Sequence, residues 1–339
     1  MDLQVTFIGT SASVPSAARG TSATLIARGG ARWLVDCGEG TQRQLLRSGL
    51  GLTDVDAILL THLHGDHFLG LPGIFKTYGL RGRSRELLLV GPPGLEDLLD
   101  TLRPVIGRLP FRLDVMEAGP GAVMREDGME MHAFHTDHGV RSLGYALVEE
   151  DRPGVFDVDA ARALGVVPGP DFGVLQRGGG VTVADGSVVR PDQVMGEARE
   201  GRVVVFSGDT RPCDATKAAA RGADLLVHEA TFTSEDRDRA IETRHSTADE
   251  AARLARDAGV RMLALTHIST RVHPREVKAE ARGIFEATVV PRDFDQVEIP
   301  YRERGVPRLV PVQERVGKGA RDDAPVPAEA AATLGDASL

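Results

Sequence analysis

The sequence Thr61-His62-Leu63-His64-Gly65-Asp66-His67 directly follows the apolar stretch 55–60. The apolar stretch predicts a β-strand, so the three imidazoles and one carboxylate that come after it lie together where the strand ends. We expect Gly65 to let the backbone fold back, so that the first two histidines face one point and Asp66 and His67 face another. Imidazole nitrogens and carboxylate oxygens are the ligands of catalytic zinc, which keeps one position open for water. The stretch therefore predicts two adjacent metal ions at the rim of a sheet.

The composition is that of a globular protein with few cysteines. At 339 residues with 42% hydrophobic content, the chain can bury a sizeable core in one large domain or two fused halves. Cys37 and Cys213 are too few and too far apart to indicate a disulfide framework, so a cytoplasmic location is the default. Residues 1–5 carry no basic region before a long apolar segment, and no apolar run reaches the length of a membrane span. We therefore expect neither export nor membrane insertion.

The net charge of −9 argues against a surface that binds nucleic acid along its whole length. A nucleic-acid substrate would need a local basic patch instead. Lys76, Arg81, Arg83 and Arg85 follow the histidine-rich stretch and form one such patch, for which a solvated loop is an equally good interpretation.

Short apolar runs alternate with helical patterns along much of the chain. Strands are predicted at 3–8, 23–27, 33–35, 57–60, 87–90, 203–206, 225–227 and 262–265. Apolar residues at three- and four-residue spacing predict helices over 40–50, 96–102, 214–221 and 247–258. The last helix opens with Thr247-Ala248-Asp249-Glu250, a capping-box pattern that fixes its start directly after His245 and Ser246. This mixture predicts an α/β protein built in layers.

Two regions differ in texture from the rest of the chain. Glycine and proline are dense between about 149 and 201, where we expect little core and an inserted, flexible arm over about 150–200. From about Val316 onward, Gly, Ala, Pro and Asp dominate, which is typical of a disordered tail. The predicted organisation is therefore a catalytic domain over 1–305 that contains the arm, followed by a largely disordered C-terminal extension over 306–339.

Two metal ions require further ligands, and other strand ends supply them. His138 lies between two strand-like runs, Asp209 follows the strand at 203–206, and His267 follows the strand at 262–265. Histidines scattered at random over a surface would not stand at successive strand ends, so we interpret these residues as ligands. Asp209 is suited to bridge both ions, since a carboxylate can donate one oxygen to each.

Three other histidines are predicted not to bind metal. His132 and His135 are placed on opposite faces of one strand-like run, and His273, beside Pro274, is predicted to lie in a surface loop.

Taken together, the motifs resemble the metallo-β-lactamase superfamily and, within it, the tRNase Z (ribonuclease Z) family, over roughly residues 1–305. The HxHxDH pattern marks only the superfamily. Phe7-Ile8-Gly9-Thr10 with Pro15, and the stretch 34–42, resemble the first two motifs of the family. His228-Glu229-Ala230-Thr231 is similar to its HEAT motif and His245-Ser246-Thr247 to its HST motif. These two motifs separate tRNase Z from the lactamases.

The resemblance implies a metallo-β-lactamase fold, a four-layer αββα sandwich with an inserted exosite arm. It also implies two zinc ions per subunit and a carboxylate, Asp36, that lies behind the ligands. The implied ligand sets are His62, His64 and His138 on one zinc and Asp66, His67 and His267 on the other, with Asp209 between them.

The resemblance further implies how RNA is held. The Gly/Pro-rich excursion is similar to the arm that the family uses to hold the tRNA elbow, with Gly169, Pro170 and Arg177 as the substrate-binding residues. Arg177 stands in a segment where a lysine is usual. Arg271 resembles a family position near the site, which suggests contact with an RNA phosphate, and a surface arginine is an almost equally good interpretation. The family implies a homodimer in which the arm of one subunit presents tRNA to the active site of the other.

The implied activity is zinc-dependent tRNA 3′ processing, in which hydrolysis of a phosphodiester removes the 3′ trailer from precursor tRNA and leaves a 3′-hydroxyl. Asp66 is the candidate general base, and His245, partnered by Glu229, is the candidate that protonates the leaving oxygen or contacts the phosphate. One alternative is a general phosphodiesterase or arylsulfatase of the same superfamily. Another is an RNA-binding scaffold with an inactive domain, which the complete ligand set disfavours. The HEAT-like and HST-like motifs and the arm disfavour a lactamase or glyoxalase.

Overall fold

Two large β-sheets organise the computed structural model, which describes residues 2–52 and 54–313. The strands in chain order are β1 (Leu3–Gly9), β2 (Ala23–Arg28), β3 (Ala31–Val35), β4 (Ala57–Leu59), β5 (Leu87–Gly91), β6 (Leu113–Glu117), β7 (Gly121–Glu126), β8 (Met129–His135), β9 (Leu143–Glu149), β10 (Val181–Thr182), β11 (Val188–Val189), β12 (Val203–Phe206), β13 (Leu225–Glu229), β14 (Leu263–Thr266), β15 (Thr288–Val289), β16 (Gln296–Ile299) and β17 (Arg308–Val310). One sheet has the order β17-β16-β1-β2-β3-β4-β5-β6, and the other has the order β15-β14-β13-β12-β9-β8-β7.

Helices connect many of these strands. They are α1 (Thr41–Arg47), α2 (Gly65–Phe68), α3 (Leu71–Leu80), α4 (Leu95–Ile106), α5 (Val158–Ala163), α6 (Pro170–Gln176), α7 (Asp214–Ala219), α8 (Arg237–Thr243), α9 (Ala248–Ala258) and α10 (Pro274–Arg282). In the part of the chain that the structure describes, no helix is both long and apolar enough to cross a membrane.

The two sheets pack face to face, and helices cover their outer faces. Phe7 and Trp33 from the first sheet meet Tyr145 and Phe206 from the second in the central core. On the outer face of the first sheet, Ile58 and neighbouring apolar residues pack with α1, α3 and α4. On the outer face of the second sheet, strands β12 to β14 pack with α7, α9 and α10. This arrangement confirms the predicted αββα sandwich.

Strands β3 to β6 run parallel to one another, as do β12 to β15. Because a parallel strand is buried on both faces, its sequence is continuously apolar, as in Val203-Val204-Val205-Phe206. All eight predicted strands are present with ends within two residues of the prediction. Helix α9 begins at Ala248 behind an N-cap Thr247 with a complete capping box, as the sequence predicts.

Several helices of the structure were not predicted from the sequence. Leu71-Pro72-Gly73 resembles a loop, yet proline fits the first turn of a helix, and α3 begins there. His273 is exposed as expected, but it caps α10 by accepting a hydrogen bond at Nδ1 from Arg275 N at 3.1 Å.

The excursion between β9 and β12 is more ordered than its glycine and proline content predicts. The expectation of little core was wrong, because α5, α6 and the β10–β11 hairpin enclose a small apolar cluster. This cluster consists of Ala161, Val166, Leu175, Val181, Val189 and Val194. Its members are short side chains spaced irregularly between turns, so no helical or strand period marks them in the sequence.

Strand β17 extends the first sheet beyond the predicted end of the catalytic domain. It pairs antiparallel with β16, with Val297 opposite Leu309. The sequence-based boundary at residue 305 therefore lies before the last strand of the sheet. Most of the predicted tail, from residue 314 onward, lies outside the described residues.

Candidate active site

Side chains with metal-binding or acid–base chemistry collect where the parallel strands of both sheets end. Asp36 follows β3, Asp209 follows β12, Glu229 ends β13 and His267 follows β14. The carboxyl ends of parallel strands meet at one edge of an α/β sheet, which is where such folds place their sites. The histidine-rich stretch after β4 joins them at the same edge.

The first group of possible ligands contains three imidazoles. His62 Nε2 lies 2.9 Å from His64 Nδ1, and His138 Nε2 lies 3.3 Å from the same atom. His62 and His138 are buried, and His64 faces the mouth of the site. These three residues could hold one metal ion.

The second group contains Asp66, His67 and His267. Asp66 Oδ2 lies 3.5 Å from His67 Nε2 and 3.3 Å from His267 Nε2. Asp209 stands between the groups, because its Oδ2 lies 3.7 Å from His62 Nε2 and 3.4 Å from His67 Nε2. The structure thus brings together the seven ligands predicted from the sequence.

The Nδ1 atoms of the buried imidazoles form hydrogen bonds on the side that faces away from the centre of the site. Asp36 Oδ2 accepts from His67 Nδ1 at 2.8 Å, and the Arg244 carbonyl accepts from His138 Nδ1 at 3.0 Å. His267 Nδ1 contacts Thr231 Oγ1 at 2.9 Å. These contacts fix each ring and direct its Nε2 toward the centre of the site.

This donor set fits a metal cation. Among the described residues His67 Nε2 is buried without a hydrogen-bond partner, although the carboxylates of Asp66 and Asp209 lie within 3.5 Å of it. With its proton on Nδ1, a neutral His67 aims a lone pair at two anions, which is unfavourable in a buried site unless a cation lies between them. The residues therefore support dependence on a divalent metal.

Burial and mutual contact shift the pKa values of these groups. Burial lowers the pKa of His62 well below its ordinary value. Burial alone would raise the pKa of Asp209, but His267 and His67 hold it well below the ordinary range. Asp66 behaves in the same way, since the neighbouring His267 and His67 lower its pKa against the effect of burial. Both carboxylates are therefore ionised at neutral pH.

A separate acid–base pair, Glu229 and His245, lies beside the ligand groups. Glu229 is buried and accepts hydrogen bonds from His245 Nδ1 at 2.8 Å and from Thr231 Oγ1 at 2.6 Å. Burial opposes protonation of His245, but the Glu229 carboxylate raises its pKa to about 9. The His245 ring stacks on His267, with centroids 5.3 Å apart.

Arg211 ties His245 to the start of α9. Its guanidinium donates to the His245 carbonyl at 2.6 Å and to both oxygens of the Glu250 carboxylate. The Ser246 hydroxyl donates to the Thr210 carbonyl at 2.6 Å. The HST-like motif is therefore fixed to the loop that carries Asp209.

Unusual backbone conformations concentrate around the site. Ser13, Asp36, Arg244 and His267 all have φ near +60°. Such a conformation is strained for residues other than glycine and persists where the surroundings enforce it. Here it points the Arg244 carbonyl at His138 and the Ser13 amide at Asp66 Oδ2, at 2.8 Å.

Gly65 does not act as predicted. It has no positive φ and is instead the first residue of α2, which begins after the extended residue His64. The short helix, rather than a glycine turn, sends Asp66 and His67 to a different point from His62 and His64.

Other predicted residues lie away from the ligand groups. His132 pairs with Glu130 on β8, and His135 is exposed at its end. His228, from the HEAT-like motif, turns its Nδ1 to the adjacent backbone carbonyl of Glu229 at 2.7 Å. Arg83, from the suggested basic patch, is buried.

The predicted RNA-contacting residues are also outside the ligand groups. Gly169 and Pro170 begin α6 of the arm, and Arg177 ends it on the surface. Arg271 is exposed in the loop that follows His267.

Sequence reasoning missed the contacts behind the ligands. Thr231 is readable in the HEAT-like motif, but nothing marks it as a partner of His267. The Arg244 carbonyl and the Ser13 amide are backbone groups, whose use leaves no sequence signal.

Comparisons with known proteins agree with this geometry. The family model of the metallo-beta-lactamase superfamily matches residues 17–248. A ribonuclease Z of Haloferax volcanii is 49% identical over 308 residues, which cover 89% of this chain and 97% of that protein. A ribonuclease Z of Myxococcus xanthus is 48% identical over 305 residues, which cover 89% and 99%. The crystal structure of human tRNase Z, short form, superposes with a TM-score of 0.63 at 28% identity, covering 88% of this chain and 99% of the human chain.

Proposed function

This chain belongs to the ribonuclease Z family of the metallo-β-lactamase superfamily, and on that premise we propose that it is a metal-dependent endoribonuclease of precursor tRNA. It hydrolyses one phosphodiester bond, removes the 3′ trailer and leaves a 3′-hydroxyl on the tRNA. The resemblance stated from the sequence is confirmed by relatives named ribonuclease Z that match this chain over nearly their whole length.

The observation that best supports this function is the Glu229–His245 pair beside the ligand groups. A set of histidine and aspartate ligands alone would serve many hydrolases of the superfamily. The pair adds an imidazole whose ring centroid lies 5.0 Å from that of His138 and 5.3 Å from that of His267. This imidazole can therefore donate a proton or a hydrogen bond to an oxygen of a phosphodiester that is bound at the ligand groups.

We assign two zinc ions per subunit to the site. His62, His64 and His138 would hold one, Asp66, His67 and His267 would hold the other, and Asp209 would donate to both. The mixed nitrogen and oxygen donors and the absence of cysteine among them support a catalytic zinc site. When bound, zinc supplies Lewis acidity and lowers the pKa of water toward neutrality.

The chain's own residues move the protons. The Ser13 amide donates to Asp66 Oδ2, which leaves the other carboxylate oxygen to accept a proton from the attacking water. Glu229 occupies Nδ1 of His245, so His245 would protonate the leaving 3′-oxygen through Nε2. Glu229 itself is buried and orients the imidazole.

The position of the arm supports a homodimer. The arm leaves the body after Glu149 and returns at Arg202, whereas His138 and Asp209 lie at the other ends of β9 and β12. At about 3.3 Å per residue, β9 separates these ends by roughly 20 Å. In such a homodimer, a tRNA held by Gly169, Pro170 and Arg177 on the arm of one subunit would enter the active site of the partner subunit.

Two further assignments follow from this function. Arg271, exposed near His267, would contact an RNA phosphate. Cys37 and Cys213 are free thiols, which supports a reducing cytoplasm.

The test is cleavage of a 3′-extended precursor tRNA with and without a chelator, mapped to single nucleotides, beside hydrolysis of a small aryl phosphodiester. We expect a chelator-sensitive cut at the 3′ end of the acceptor stem. Hydrolysis of the small diester without cleavage of tRNA would instead identify a general phosphodiesterase.

A further inference from the structure

The arm joins the body through a root formed by residues 149–152 and 199–202. The two segments of the root pair through Arg152 and Arg199, and the backbone amide of each donates to the carbonyl of the other at 2.8 Å. The apolar cluster inside the arm is separate from the three clusters of the body. The orientation of the arm therefore depends on what holds its root.

A buried ion pair lies at this root. Arg202 and Glu149 are 1% and 4% exposed, and Arg202 Nε and Nη2 donate to the two Glu149 oxygens at 2.8 Å each. Arg28 of β2 donates to the same carboxylate at 2.7 Å. Arg202 also donates to the Ile299 carbonyl at the end of β16, at 2.8 Å. The root is thus bonded to two strands of the opposite sheet.

Tyr301, just after β16, lies between two arginines of the root. The guanidinium carbons of Arg152 and Arg202 lie 3.4 Å and 4.0 Å from its ring centroid, and its hydroxyl lies 3.2 Å from Glu149 Oε1. Arg152 also pairs with Glu303 at 2.9 Å. The Tyr301 ring therefore links both segments of the root to the C-terminal end of β16.

A buried ion pair is a weak source of net stability, since removing charges from water offsets most of their attraction. Its hydrogen bonds are directional, however, and the planar guanidinium fixes both distance and angle. An arm with its own small core needs a fixed angle more than it needs added stability.

We propose that Glu149, Arg202, Arg152 and Tyr301 form an arm clamp, which sets the angle of the arm and thereby positions bound tRNA for cleavage. The proposal rests on the proposed function. These are positioning residues, because none of them belongs to the ligand groups or to the Glu229–His245 pair. The clamp therefore affects capture of a large substrate and leaves the chemistry of a small one unchanged.

Tyr301→Ala is the informative variant. Substituting Glu149 or Arg202 would leave a buried charge without its partner, which can prevent the protein from folding. Tyr301→Phe keeps the ring between the arginines and removes only the hydroxyl. Arg308→Ala, which removes an exposed ion pair between the edge strand β17 and Glu298 of β16, is the matched control. Melting curves establish that each variant is folded.

For Tyr301→Ala we expect KM for precursor tRNA to rise about tenfold while kcat changes less than about twofold. Hydrolysis of bis(p-nitrophenyl) phosphate should be unchanged, and Tyr301→Phe and Arg308→Ala should resemble the unmodified protein. An unchanged KM for tRNA, or an equal loss on both substrates, would overturn the clamp.

Amide hydrogen exchange tests the clamp without any substrate. In Tyr301→Ala, amides of the root and arm, 150–201, should exchange about tenfold faster, while those of β4 and β14 keep their protection. Unchanged exchange in the arm would overturn the clamp even if tRNA kinetics changed. If the unmodified protein cleaves only the small diester, the proposed function fails, and the exchange measurement still decides the clamp.

Discussion

Replacing Asp36 with asparagine should reverse the tautomer of His67. The Asp36 carboxylate accepts from the Thr61 amide at Oδ1 and from His67 Nδ1 at Oδ2, both at 2.8 Å. Asparagine has one acceptor and one donor in these places. If its oxygen stays with Thr61, its amide faces His67 Nδ1, so the ring proton must move to Nε2. Nε2 is the atom directed at Asp66 and Asp209, and a protonated Nε2 cannot bind a metal.

The size of the effect follows from these contacts. Loss of the carboxylate behind a ligand imidazole weakens metal binding by about 10–100-fold, or about 1.4–2.8 kcal/mol. Asparagine tolerates the φ of +61° at this position, so the backbone should be retained. The group formed by His62, His64 and His138 keeps its contacts. One of two metal sites should therefore weaken, and the other should not.

The assay is zinc titration of the metal-free protein in competition with a chromophoric chelator. The unmodified protein should bind two zinc ions tightly, and Asp36→Asn should bind one tightly and one weakly. Asp224→Asn is the matched control, because Asp224 is also buried and accepts from the Val203 amide at the far end of β12. Two tight sites in Asp36→Asn, or equal zinc loss in both variants, would refute the reasoning about the tautomer.

Three further predictions concern other parts of the molecule. His245→Ala should lower kcat for precursor tRNA by about 10²–10⁴-fold with zinc content unchanged, and loss of zinc would contradict its assigned role. Burial would raise the pKa of Glu149, but Arg202 and Arg28 hold it at about 2 instead of 4.5, so the ion pair stabilises the fold above about pH 4.5 and ceases to do so as the pH falls toward 2. This shift corresponds to a difference of about 3 kcal/mol in folding stability between the ionised and the protonated form of Glu149. In Glu149→Gln, once melting curves establish that it is folded, the free energy of unfolding in urea should depend less on pH across that range. Gly208→Ala would place a Cβ 2.8 Å from Thr61 Cβ at a φ of +60°, so the melting temperature should fall by about 5 °C or more.

Local sequence was sufficient for the elements whose pattern does not depend on the rest of the fold. The apolar run of β12 and the capping box of α9 each specify one structure, and the structure has both. Elements that begin with Pro and Gly, such as α3, were missed because the same residues also begin loops. The small core of the arm was missed because its residues come together only through turns.

The convergence of the seven predicted ligands could be foreseen because each follows an apolar run, and parallel strands bring their carboxyl ends to one edge. The sequence by itself thus determined the fold class, the seven converging side chains and the family. Only the tertiary structure decided what orients them, since the partners of His138 and Asp66 are the Arg244 carbonyl and the Ser13 amide, and any residue carries such groups. It also decided that the arm leaves the far end of β9 and is held there by Arg202 and Tyr301. Those contacts join residues 53 to 152 positions apart, and no local pattern records which distant segments will meet.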